Sequence, residues 1–349
     1  MHSAGLMIDD KEKMIPNTPA PFFVIGAQRS GTTLLRLMLN AHPDVAIPEE
    51  GTFWMPLLRS YGRNPQTSIP PGVLQNYLRY IGKNSQFKLW LLDDNGIRER
   101  ALSMEKITLS QLMSLYYDAY ARLQGKERSG DKTPSFFRMV PLLSNLFPQA
   151  KFVHIVRDGR DIYLSLCKMG YKGNLSVGAL EWTFKVAKAQ RDLAKLDPSR
   201  VLELRYEDLL AAPGSKLEEI CAFLHVPYNS SMLDFWKTSR NYIGNHHSQH
   251  IFKPVANDNV KKWKRRMSSV EVAKFQKIAG TQLTRMGYEL DDALPPVSNL
   301  SIFSDLAYGL PCRLAKVIFT AIQLKITARF GLGTDAAGKG VLPDKNQLN

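Results

Sequence analysis

Apolar residues in this chain fall into two arrangements: short unbroken runs, and longer stretches in which they recur three and four positions apart. The run FFVIG, from Phe22 to Gly26, has the continuity of a strand buried on both faces of a parallel sheet. A polar turn follows, and then LLRLMLNA carries Leu34, Leu35, Met38 and Leu39 at helical spacing until His42-Pro43 stops it. KFVHIVRDGRDIYLSL repeats the unit, with a strand at Phe152 to Val156 and a helix from about Gly159 to Leu166. A third strand is predicted at Val201 to Leu204. SKLEEICAFL, Ser215 to Leu224, reads as an amphipathic helix opened by a serine with Glu218 three residues later, the pattern of a capping box. LSQLMSLYYDAYARL and ALEWTFKVAKAQRDLAKL read as helices that cover the sheet or shape a pocket. Strands separated by helices predict an α/β fold of three layers, with a mostly parallel central sheet flanked by helices.

The pattern also divides the chain. Residues 1–20 are polar and proline-containing and read as a tail, residues 21–298 as the domain, and residues 299–349 as a C-terminal amphipathic helix with its own tail. In that helix Arg313, Lys316, Thr320, Gln323 and Thr327 form a polar stripe, with Leu314, Val317, Ile318, Ala321 and Ile322 on the other side. Packing on the domain or on a second copy, as a homodimer, is the expected use. Peripheral membrane contact through residues 305–330 stays open.

Composition narrows the class without choosing a partner. Hydrophobic content of 44% and charged content of 22% are those of a soluble globular protein. The net charge of +14 calls for an anionic partner: nucleic acid, a membrane surface or a phosphorylated small ligand. Cys167, Cys221 and Cys312 are far apart and form no CxxC pair, so neither a disulfide framework nor a zinc site is indicated. The first twenty residues lack the apolar run of a signal peptide, and a cytoplasmic location is expected.

The turn after the first strand carries the first chemistry. GAQRSGTT joins a strand to a helix N-terminus, where several backbone N–H groups and the helix dipole favour an anion. Gly26 and Gly31 keep the glycine spacing of the nucleotide-triphosphate loop GxxxxGK[ST], but Thr32 stands where its lysine belongs and Arg29 lies earlier. VRDGRD then places Arg157 at the end of the second unit's strand, with Ser165 a helix length onward. Two anion sites on neighbouring units point to a ligand with two separated anionic groups.

With these runs the sequence resembles the sulfotransferases that use 3′-phosphoadenosine 5′-phosphosulfate (PAPS), and within them the tyrosylprotein sulfotransferase and related bacterial branches. The resemblance covers roughly Pro21 to Leu290 through RSGTTLLRLMLNAHPDV with EE after it, DKTP, LFPQAKFVHIVRDGR, RYEDL, FKPV with KKW nearby, and MGYEL. It implies a P-loop-related fold, PAPS as donor and adenosine 3′,5′-bisphosphate as product. Arg29 and the N–H groups of Ser30, Gly31, Thr32 and Thr33 would hold the 5′-phosphosulfate, and Arg157 with Ser165 the 3′-phosphate. Glu50 would be the base that takes the acceptor's proton, with Glu49 as its rival. Lys132 would stabilise charge on the bridging oxygen, and Tyr206 would lie near the adenosine. Ser248, or its neighbour His247, would assist the transition state, and Lys262 of KKWKRR would close over the donor as a phosphate ligand. A sulfuryl group carries less negative charge than a phosphoryl, so arginine, lysine and backbone donors suffice and no metal is expected.

The match departs from the tyrosylprotein pattern at Thr52 and Met169, where those enzymes carry basic residues. A hydroxyl on a small molecule, lipid or carbohydrate is therefore the first acceptor class, with protein tyrosine second and nucleic acid not expected. Phe53, Trp54, Tyr61, Tyr77, Tyr80, Trp90, Tyr116 and Tyr117 lie in the region expected to shape the acceptor pocket, and read as core rather than as a sugar platform. Two other classes remain: a P-loop kinase or ATPase, disfavoured by Thr32, and a basic non-catalytic module for nucleic acid or anionic membranes.

Overall fold

A computed structural model describes residues 19–171, 173–238, 249–256 and 259–330. Its centre is one sheet of five parallel strands: β1 (Phe22–Ile25), β2 (Val45–Ala46), β3 (Arg128–Asp131), β4 (Phe152–Val156) and β5 (Val201–Arg205). Their order across the sheet is β2-β3-β1-β4-β5. In register, Phe23 pairs with Asp131 on one side of β1 and with Phe152 on the other. The three strands expected from apolar runs are β1, β4 and β5, the last one residue longer than anticipated.

β1 and β4 are buried along their whole length because both sheet faces are covered. Phe23, Ile25 and Phe152 point into a cluster with the aromatic helical region, including Phe53, Trp54, Trp90, Tyr116 and Tyr117. Phe22, Val24, Val153 and Ile155 point the other way, onto Leu35, Leu39, Leu209 and Ile220. The expectation that the aromatics are core holds for these, while Tyr80 stays exposed. Trp90 stacks on Tyr117 at 5.6 Å and crosses Phe53 edge-on at 5.3 Å, so this cluster is a packed wall rather than an open platform.

Several helices bear on the site: α1 (Thr32–Asn40), α2 (Gly159–Cys167), α3 (Leu175–Leu193), α4 (Ser269–Arg285) and α5 (Asn299–Phe330). α2 lies where its sequence predicts, and α3 starts four residues before the predicted ALEWTFKVAKAQRDLAKL and ends three residues earlier. The capping box expected at Ser215 is absent: that helix starts earlier, at Pro213, and has no side-chain cap at Ala212. Proline's fixed φ suits the first helical position, so the start moved upstream and left Ser215 inside the first turn. Reciprocal capping boxes form instead at Thr108 with Gln111 and at Ser268 with Glu271.

Candidate active site

A parallel sheet brings the carboxyl ends of all its strands to one edge, and each strand here delivers a candidate residue there. The glycine loop follows β1, Glu50 follows β2, Lys132 follows β3 directly, Arg157 follows β4 and Tyr206 follows β5. After β1 the chain turns toward β2 and β3; after β4 it turns toward β5. Connections that diverge in this way open a crevice between β1 and β4. A cleft of about 360 Å³ lies against the loop, lined among others by Arg29, Thr33, Arg157, Ser165, Tyr206 and Lys262.

The loop's conformation is set by its glycines and by what packs on it. Gly31 caps α1 with φ of 99°, a left-handed value, and a β-carbon there would lie 2.3 Å from Cδ2 of Tyr206. Thr32, at the position of the missing lysine, is buried at the first turn of α1. Arg29, also at positive φ (71°), donates from Nε to Ser165 Oγ at 3.0 Å. Arg157 donates to the Arg29 carbonyl at 3.3 Å and to the Asn259 carbonyl at 2.7 Å, and its guanidinium lies 4.5 Å from the Tyr206 ring centre. Burial and then repulsion from Arg157 push the Arg29 guanidinium's pKa below its ordinary value. Arg157 Nε and Ser30 Oγ are buried without a hydrogen-bond partner among the described residues. Two arginines, unmet donors and a helix N-terminus in one cleft make a site for an anion.

On the β3 side a second cluster forms. Lys132 is fully buried and donates to Glu50 Oε1 at 2.7 Å, while the Glu50 side chain keeps 35% of its surface open. Glu49 turns the other way and pairs at 2.5 Å with Arg36, both side chains nearly buried, and its carbonyl accepts from Trp90 Nε1 at 2.9 Å. Beneath Lys132, the buried Asp131 accepts from Tyr117 OH at 3.0 Å, and Thr133 Oγ1 accepts from the Gly51 N–H at 2.7 Å. Burial raises the Asp131 carboxyl to about 6, against the hydrogen bonds of Thr133 and Tyr117 and the charge of Lys132. These bonds tie the segment bearing Glu50 to the end of β3.

A model described as the sulfotransferase family matches residues 21–230, more than half of the chain. The chain belongs to the sulfotransferase family. It is 27% identical over 322 residues to protein-tyrosine sulfotransferase A of Caenorhabditis elegans, covering 84% of this chain and 77% of that protein. An uncharacterised protein of Aquifex aeolicus is 26% identical over 254 residues, but the chain spans only 30% of that protein's length. The fold is similar to the sulfotransferase domain from the curacin biosynthetic pathway, at 20% identity and a TM-score of 0.53 over 78% of this chain and 99% of that one.

In this sulfotransferase the residues singled out from sequence form two groups. Arg29, Gly31, Thr32, Thr33, Arg157, Ser165, Tyr206 and Lys262 line the cleft, and Ser30 lies in the loop beside it; Glu50 and Lys132 form the neighbouring pair. Lys262 reaches the cleft hydrogen-bonded to Asn259 Oδ1. Its segment is tied to α2: the Trp263 N–H donates to Asp161 Oδ1 at 2.9 Å, and the Arg160 guanidinium, held by Asp158, stacks 3.6 Å from the Trp263 ring centre. Ser248 and His247 lie outside the described residues. Sequence reasoning missed Asp131, Thr133 and Asn259, and read Tyr117 as core without its bond to Asp131. Asp131 and Thr133 flank the lysine in DKTP and were within reach; Tyr117 and Asn259 are joined to the site only by folding.

Proposed function

We propose that this sulfotransferase moves the sulfuryl group of PAPS to an acceptor hydroxyl by in-line displacement. The observation that carries the reading is the convergence of Arg29 and Arg157 on the β1–β4 crevice, each held by carbonyl or hydroxyl oxygens. A donor with a 5′-phosphosulfate and a 3′-phosphate relieves the repulsion between them. The loop N–H groups of residues 30–33 and Arg29 hold the phosphosulfate, Arg157 and Ser165 take the 3′-phosphate, Tyr206 faces the adenosine, and Lys262 closes the cleft. The partly open Glu50 removes the acceptor's proton, and Lys132 supplies positive charge as the sulfur–oxygen bond breaks. The Lys132–Glu50 contact supports this division, because it sets base and acid catalyst side by side with the lysine shielded from water.

The acceptor is a hydroxyl of a small molecule, lipid or carbohydrate, consistent with Thr52 where the tyrosylprotein pattern has a basic residue. Peptide tyrosine is the second reading, supported by the name of the nematode relative. Thermal stabilisation by adenosine 3′,5′-bisphosphate, compared with magnesium-ATP and AMP, tests the donor. Ligand at a hundredfold its dissociation constant adds about 2.7 kcal/mol. Stabilisation by magnesium-ATP alone would refute the PAPS reading. Transfer of labelled sulfate to a panel of hydroxyl acceptors, lost in Glu50→Ala while bisphosphate binding persists, tests the chemistry.

A further inference from the structure

Over its described side chains, residues 299–311 and 313–315, helix α5 meets the domain through Asp305, Gly309 and Arg313 and turns an apolar stripe to water. Asp305 accepts hydrogen bonds from Ser176 at 2.8 Å and Lys274 at 3.0 Å, and its carbonyl accepts from Asn174 at 2.5 Å. One turn on, Gly309 is buried so closely that a β-carbon would lie 2.7 Å from Val177. Another turn on, Arg313 donates to Glu181 at 2.6 Å and covers the Tyr171 ring at 5.4 Å. The opposite face holds Leu300, Phe303, Leu310 and Leu314, exposed by 74%, 68%, 37% and 59%. These positions, with the exposed Ala307 between them, follow the three-and-four spacing of one helical stripe. Phe184 on α3, the helix that α5 packs against, is likewise 54% exposed. A helix that packs only on its own domain buries this stripe and hydrates the other; α5 does the reverse.

Charge decides between the surfaces that could cover it. Arg313 is held by Glu181, but beyond it the sequence to Thr334 contains Lys316, Lys325 and Arg329 and no Asp or Glu, in a chain of net charge +14. A second copy would set like charges against each other, whereas an anionic lipid surface complements them. Among the described residues no helix is long and apolar enough to cross a membrane, and a helix with one exposed apolar stripe suits the interfacial plane. We propose that α5 docks this protein on anionic membranes, with Leu300, Phe303, Leu310 and Leu314 among the acyl chains.

The test is sedimentation of the full chain with vesicles of phosphatidylcholine, with and without phosphatidylglycerol. The expected result is binding to the anionic vesicles that weakens as salt rises, with little binding to phosphatidylcholine alone. Phe303→Ser/Leu310→Ser/Leu314→Ser should lower the partition coefficient about tenfold or more, with the melting midpoint showing that the variant is folded. If the triple variant melts early, Phe303→Ser alone carries the same comparison, and the salt dependence of the native chain stands without any variant. Absence of binding to anionic vesicles, or undiminished binding by a folded variant, overturns the proposal. So does a dimer in light scattering that the same substitutions dissociate, because a second copy then covers the face.

Discussion

Replacing Asp131 by Asn isolates a charge that folding places under the Lys132–Glu50 pair. The carboxyl is fully buried, and burial raises it from 3.8 to about 6 despite hydrogen bonds from Thr133 and Tyr117 and the charge of Lys132. Because the folded-state pKa is the higher one, the native protein holds the proton more tightly than the unfolded chain. The stabilisation from that proton is complete below about pH 4 and is lost as pH rises through about 6. A shift of this size corresponds to about 3 kcal/mol at 1.36 kcal/mol per unit. The amide retains an acceptor for Tyr117 and does not titrate. The stability difference, native minus Asp131→Asn, should therefore fall by about 3 kcal/mol between about pH 4 and about pH 7. Urea unfolding of both proteins across that range, at constant slope, measures it. A difference that does not change with pH refutes the reasoning. One that grows with pH would show that Lys132 stabilises the carboxylate by more than burial penalises it.

Other substitutions separate the roles of neighbouring residues. Glu49→Ala, which takes the carboxylate partner from the buried Arg36, should cost about 3–5 kcal/mol in urea unfolding, whereas Glu50→Gln, which keeps an acceptor for Lys132, should act chiefly on sulfuryl transfer. Arg157→Ala removes charged donors from the cleft and should weaken adenosine 3′,5′-bisphosphate by roughly 10- to 100-fold in calorimetry, the equivalent of about 1.5–3 kcal/mol. Gly31→Ala should destabilise by about 1–2 kcal/mol from its backbone alone, with more from the collision with Tyr206. Combining it with Tyr206→Ala should restore the part due to the collision, as thermal unfolding of the single and double variants would show.

The tyrosylprotein likeness favours Glu50 over Glu49, but the local sequence does not, since adjacent identical side chains share every local property. Tertiary packing separates them: Trp90 and Arg36 hold Glu49 toward the core, and Lys132 receives Glu50 at the edge of the sheet. Burial takes Arg157 and Lys132 out of water, which their positions in the sequence do not show. The short strands β2 and β3 escaped notice for a related reason. RSGD has no apolar run, and Gly130 is required there because the Phe22 ring fills the space of a β-carbon, 2.5 Å away.

By itself the sequence determined the three apolar strands, the helices that follow β1 and β4, and the glycine loop, because each depends on side chains close together along the chain. It also carried the family's ordered motifs and the charge that asks for an anion. Only the tertiary structure decided the strand order that opens the crevice between β1 and β4, since pairing a strand with partners over a hundred residues away leaves no local trace. It likewise decided which side of α5 meets water. The helical spacing reveals two faces, but Asp305 and Arg313 find their partners on α3 and α4, and those contacts turn the apolar face outward.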